Sequence, residues 1–167
     1  THPRCRLMTR TLRVEADGGS RGNPGVAGWG ALVRDAASGD LLVELAAPLG
    51  TASNNVAEYR GMLAGLAAAR TIAADARIVV AMDSKLVVEQ MAGRWKIKHP
   101  DMRELALQGR DLVAEITTAG GSVEFTWVPR ADNGDADALS NRGMDGEHVE
   151  DWHGSEQRYV EDKLALL

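Results

Sequence analysis

Four carboxylates stand where acids can do chemistry. Asp17 follows the alternating run TLRVEA, and Asp83 follows the apolar run RIVVAM. Glu58 lies near the start of VAEYRGMLAGLAAARTIA, and Asp137 falls within ADNGDADAL, just past a second alternating run, VEFTWV. An acid directly after an apolar strand sits at the strand's C-terminal edge, where open α/β sheets collect their sites. Carboxylates converging from four elements repel one another unless a hard divalent cation neutralises them. Mg2+ suits such oxygen donors, together with water and phosphate. Two such ions can activate a water and stabilise the leaving oxygen of a phosphoryl displacement. Taken singly, each acid serves equally well as a helix cap or a solvated turn residue. Only their convergence would make a site.

The elements that must bring them together can be read from periodicity. Residues 11–17, 26–34 and 41–47 read as strands, and their short connections make an antiparallel meander. TASNN then offers Ser and Asn caps to a long helix with small residues at Ala57, Gly61, Ala64, Gly65 and Ala68, a smooth face for a sheet. The run 77–82 reads as a buried central strand, and a right-handed crossover makes it parallel to the first strand. Helices are expected at 85–92 and 102–118, a last strand at 123–128 and a closing helix at 136–142. The fold class is α/β, a five-stranded mixed sheet flanked by helices. GGSRGNPG (18–25) reads as a turn cluster; it lacks the Lys-Ser/Thr of a phosphate loop and leads into a strand. Its glycines would let backbone approach a polymer closely.

Composition sets the outer bounds. The 167 residues suit one domain, with 44% apolar and 26% charged residues supporting a real core. No stretch approaches the ~20 apolar residues of a membrane span, so no membrane partner is expected. A single cysteine, Cys5, excludes an internal disulfide framework and suits a cytoplasmic setting. The net charge of −5 argues at first against a polyanionic partner, but the acidity is local. Seven acids lie between Asp145 and Asp162 against two bases, Arg158 and Lys163, which leaves 17 bases and 17 acids before them. Two divalent ions would carry that neutral body to about +4. The chain therefore divides into a flexible extension (1–9), a domain (10–143) and an acidic tail (144–167). The tail reads either as a linker or as a helix packed through Trp152, Tyr159, Val160 and Leu164.

Four blocks, ADGGSRGNPG, SNNVAEYRGMLAGL, MDSKLVVEQM and WVPRADNGDADAL, occur in that order across residues 11–143, and together they resemble ribonuclease H type I. WKIKHPD further resembles the actinobacterial-type branch, whose domain is often fused to an acid-phosphatase-like domain. The resemblance implies an RNase H-like fold and a monomeric endonuclease that hydrolyses the RNA strand of RNA/DNA hybrids. It further implies two Mg2+ ions, with Mn2+ as a substitute, and products with 5′-phosphate and 3′-hydroxyl ends. It carries the metal-binding and catalytic roles to Asp17, Glu58, Asp83 and Asp137, with Asp137 preferred to Asp135 because Asn133 sets the family spacing. It carries RNA-strand contacts to Gly18 and Asn23, contacts to both strands to Asn54 and Asn55, and a DNA-phosphate contact to Ser53, where the family usually has Thr.

Two departures from the family pattern stand out. The histidine that better-known members carry on the loop after the last strand is replaced by Arg130, and none of His2, His99, His148 or His153 aligns with it. Arginine can hold a phosphate but cannot act as a general acid. The long basic protrusion is also missing. GRWKIKH remains, with Lys96 and Lys98 beside Trp95, a combination that can track a DNA backbone. The alternative is that Trp95 and Ile97 are core anchors. Trp29 and Trp127, inside strand patterns, read as core.

Overall fold

Alternation along the strands decides which helix covers which face of the sheet. In β2 (Gly25–Asp35), Ala31 and Val33 join the main core, whereas Leu32 between them enters a second, smaller core with Ala46, Leu139 and Val149. In β1 (Thr11–Gly22), Leu12, Val14 and Ala16 face the main core, so Asp17 leaves the strand on the opposite face. These details come from a computed structural model that describes residues 9–154 and Glu156. The remainder of the expected N-terminal extension, with His2 and Cys5, and the tail residues Tyr159, Val160 and Leu164 lie outside the described residues.

The meander is completed by β3 (Leu41–Ala52), antiparallel to β2. Helix α1 (Asn54–Ala73) then crosses the main core and leads to β4 (Arg77–Met82), which pairs parallel with β1 as the crossover rule requires. Helices α2 (Lys85–Met91) and α3 (Pro100–Thr118) follow, then β5 (Ser122–Trp127), parallel to β4. A single 3-10 turn (Arg130–Asp132) leads into α4 (Gly134–Met144), which lies over the smaller core.

Among the described residues the sheet has six strands in the order β5-β4-β1-β2-β3-β6, against the five expected. The additional strand, β6 (Val149–Trp152), comes from the acidic segment, read from sequence as linker or helix, and pairs antiparallel with β3. Its acids Glu150 and Asp151 are exposed on the outer edge, where charge discourages pairing with another chain. Val149 is buried in the smaller core, and Trp152 packs against the main one. The sheet thus continues past residue 143.

The glycine cluster also differs from a loop. Both strands of the first hairpin run through it, and only Asn23 and Pro24 lie between β1 and β2. The strand glycines serve packing instead. A Cβ on Gly18 would collide with the backbone of Ala57 and Glu58 in α1, and one on Gly30 would collide with Leu139 and Ser140 in α4. On α1, Gly61 meets the Asp17 carbonyl and Gly65 meets Val14, so the smooth helix face does lie close on the sheet.

Candidate active site

Asp17 and Asp83 are placed by strand register. The parallel pairing of β1 with β4 ends at Glu15 opposite Ala81, and each acid follows two residues later: Asp83 just past the end of β4, and Asp17 where β1 runs on paired with β2 alone. Glu58 arrives from the first turns of α1, which Ser53 starts by accepting a hydrogen bond from Val56 N at 3.3 Å. The glycine contact at Gly18 brings that helix end down onto β1. Asp137 comes from the opposite face on α4, which sits close to β2 at Gly28 and Gly30.

Oxygens of Asp17, Glu58 and Asp83 all lie within 4.8 Å of one another. Asp137 joins them through a hydrogen bond with Asp17. Burial pushes the Asp17 carboxyl up to about 8, with the charge of Asp83 and the bond to Asp137 adding to the effect. Burial likewise pushes Glu58 up to about 7; the Ser84 hydroxyl, donating to its carboxylate, pulls the other way. Asp135, by contrast, turns to Arg34 on β2 at 2.5 Å, and that guanidinium also holds Glu15 at 3.0 Å. The register set by Asn133 therefore points Asp137, not Asp135, at the cluster.

The all-oxygen donor set fits hard divalent cations such as Mg2+ or Mn2+ and offers nothing to a soft metal. With no cation to offset them, burial and mutual repulsion favour the protonated forms of Asp17 and Glu58.

The acids line a cleft of about 420 Å³ together with Gly18, Gly19, Ser20, Asn54 and Arg130. A chain of hydrogen bonds ties its rim: Ser20 N donates to Asn54 Oδ1 at 2.8 Å, and Asn54 N donates to Asn23 Oδ1 at 3.1 Å. Arg130 is 83% exposed, with its guanidinium 3.9 Å from Asp137. Asn55 instead lines a second cleft of about 630 Å³ with Leu86, Trp95, Lys96, Lys98 and His99. The two anchors expected in the basic loop part company. Ile97 packs against the core, whereas Trp95 is 45% exposed in this cleft.

Several neighbours of the acids escaped the sequence reading. Ser84 follows Asp83 directly and caps α2 while bonding Glu58. Asn141 donates to the Asp137 carbonyl at 3.0 Å, a helical i, i+4 relation that was available in the sequence. Trp127, expected in the core, is 49% exposed, and its indole N–H donates to the Asp83 carbonyl at 3.2 Å. It is the last residue of the edge strand β5. Trp29 does pack against the core. Of the tail histidines, His148 is exposed and His153 pairs with Glu44 at 3.3 Å on β3, so neither stands in for the missing loop histidine.

A mixed sheet with a carboxylate cluster at the β1/β4 edge, approached by a helix from the opposite face, defines a class of site able to hold hard divalent cations. The Reverse transcriptase-like family profile matches residues 15–143. The chain is 52% identical over 132 residues to the bifunctional protein Rv2228c of Mycobacterium tuberculosis, covering 79% of this chain and 35% of that protein. The solved N-terminal RNase H domain of Rv2228c superposes with a TM-score of 0.76 at 50% identity, covering 82% of this chain and 95% of that one. Ribonuclease HI of Halobacterium salinarum is 40% identical over 137 residues, 80% of this chain and 65% of that protein. LC11-RNase H1, solved in complex with an RNA/DNA hybrid, gives a TM-score of 0.74 at 34% identity, covering 80% of this chain and 96% of that one. The chain belongs to the ribonuclease H family. It spans about a third of the length of the mycobacterial relatives.

Proposed function

We propose that this chain is an endonuclease that hydrolyses the RNA strand of RNA/DNA hybrids, leaving 5′-phosphate and 3′-hydroxyl ends. The observation that carries the reading is the convergence of Asp17, Glu58 and Asp83 within 4.8 Å, with Asp137 bonded to Asp17. These four carboxylates would hold two Mg2+ ions, or Mn2+ in their place; when bound, the metal supplies a water of lowered pKa and charge stabilisation at the departing 3′ oxygen.

The chain's own residues bind and orient. Gly18, Asn23 and Asn54, tied along the rim of the acidic cleft, face the RNA strand and read its 2′-hydroxyls, the feature that separates RNA from DNA. Asn55, Lys96 and Lys98 in the second cleft follow the DNA strand, where phosphate contacts suffice. Ser53 accepts from the α1 backbone and keeps its hydroxyl proton for a DNA phosphate. Arg130 beside Asp137 holds a phosphate and moves no proton. The hybrid complex of LC11-RNase H1 supports this choice of substrate.

The same reading takes the domain as a cytoplasmic monomer. It joins the domain to a further, acid-phosphatase-like domain, as the family resemblance implies; the name of the bifunctional Rv2228c supports a second activity without saying which. Among the described residues no helix is long and apolar enough to cross a membrane. The test is cleavage of RNA/DNA, RNA/RNA and DNA/DNA duplexes with and without Mg2+. Cutting of the RNA/DNA duplex alone, in Mg2+ alone, is the expected result. Hybrid binding with no product in Mg2+ or Mn2+ would instead identify a non-catalytic module.

A further inference from the structure

Asn133 occupies the N-cap position of α4, where an asparagine normally turns its side-chain oxygen back onto a free helix N–H. It makes no such bond. The side chain is fully buried and runs the other way, its Nδ2 donating to the Ala16 carbonyl at 3.0 Å and to Asp83 Oδ1 at 3.3 Å. Its backbone carbonyl accepts from the amide of Asp137 at 3.0 Å. One residue thus touches the strand residue before Asp17, the carboxylate of Asp83 and the backbone of Asp137.

This arrangement is a poor choice for stability alone. The helix forgoes a side-chain cap, and Asn133 Oδ1 is buried with no partner. Both features cost free energy. A serine here would cap α4 and bury no orphaned amide oxygen. What only the amide can do is span from β1 to Asp83 with a single nitrogen. A donor on one carboxylate oxygen fixes the orientation of the group while leaving its charge intact.

We infer that Asn133 is a positioning residue for the metal site: its amide nitrogen clamps Asp83 to the end of β1, so that Asp83 presents its charge to a cation shared with Asp17 and Glu58. The inference rests on the metal reading given above. It assigns Asn133 no contact with substrate or metal.

The test titrates Mn2+ into the full chain, following free Mn2+ by electron paramagnetic resonance, alongside metal-free melting curves. Three variants are compared with the parent: Asn133→Ser, Asn133→Ala and Ile116→Val. Ile116 is fully buried in α3, outside both clefts, and its truncation loosens the core without touching the clamp. Asn133→Ser should keep a melting temperature within about 3 °C of the parent, because serine restores a cap. Both Asn133 variants should nevertheless bind Mn2+ about tenfold more weakly, while Ile116→Val melts lower and binds as the parent does. Parent-like Mn2+ affinity in Asn133→Ser, or an equal loss in Ile116→Val, would overturn the inference. A parent that binds no Mn2+ would overturn the metal reading itself.

Discussion

The Tyr59 hydroxyl, on the fully buried face of α1, donates to Gln90 Oε1 at 2.7 Å, and Gln90 in turn donates through Nε2 to the Lys96 carbonyl at 3.2 Å. The basic loop that carries Lys96 and Lys98 is thereby tied to the same helix that delivers Glu58. Tyr59→Phe leaves Gln90 Oε1 buried and unpaired, which costs about 1–3 kcal/mol. Thermal melting should register that loss. Hybrid affinity should fall while kcat stays near the parent value, because the acids are untouched.

Electrostatics of the two strands separate cleanly in salt. If Lys96 and Lys98 each neutralise a phosphate, replacing both with Ala should reduce the slope of log K against log salt by about 2. The loss should be the same for hybrids of any sequence. A slope equal to that of the parent would return these lysines to the role of solvated side chains.

The acid cluster makes metal-free stability depend on pH. Asp17 at about 8 and Glu58 at about 7 hold protons in the folded state that the unfolded chain releases near pH 4. Folded pKa values raised in this way contribute stability that is full below the unfolded values and is lost as pH climbs through 7 and 8. The metal-free melting temperature should therefore fall between pH 5 and pH 9. Asp17→Asn should flatten that fall and melt at least about 3 °C above the parent at pH 9. Added Mg2+ should raise the parent's melting temperature more at pH 8 than at pH 5, since protons and cations compete for the same oxygens.

Close approach of helix to strand is the other requirement of the site. Gly18→Ala pushes a methyl into the backbone at Ala57 and Glu58, and overpacking of this kind costs about 1–3 kcal/mol. Because the displaced element carries Glu58, Mg2+ affinity should fall together with stability. Gly39, whose Cβ would meet nothing, is the control for side-chain bulk, although its positive φ brings its own strain.

What was legible in the sequence followed from local rules. Asp17 and Asp83 could be placed side by side because each follows an apolar run, and the crossover rule made those strands parallel; β1 in fact runs on to Gly22. The small-residue stripe of α1 announced a close helix-sheet contact. Features that depend on partners remote in sequence were not legible. The four residues of β6 include two acids and carry too little alternation to declare a strand; pairing with β3 supplies what their composition lacks. Trp127 has the look of a core residue until the register opposite Met82 places it at the open end of β5. Gly18 looked like the start of a turn, because nothing local says that a helix will press on it. Asn133 looked like no more than a register mark; its real partners lie 117 and 50 residues away.

The most direct test of the central claim follows a labelled RNA strand, paired with DNA, through a time course in Mg2+ with the parent and with Asp83→Asn, both verified as folded by melting. The parent should cut the RNA strand to products bearing 5′-phosphates, and Asp83→Asn should give no detectable product while still binding the hybrid. Cleavage by Asp83→Asn at the parent's rate would contradict that claim.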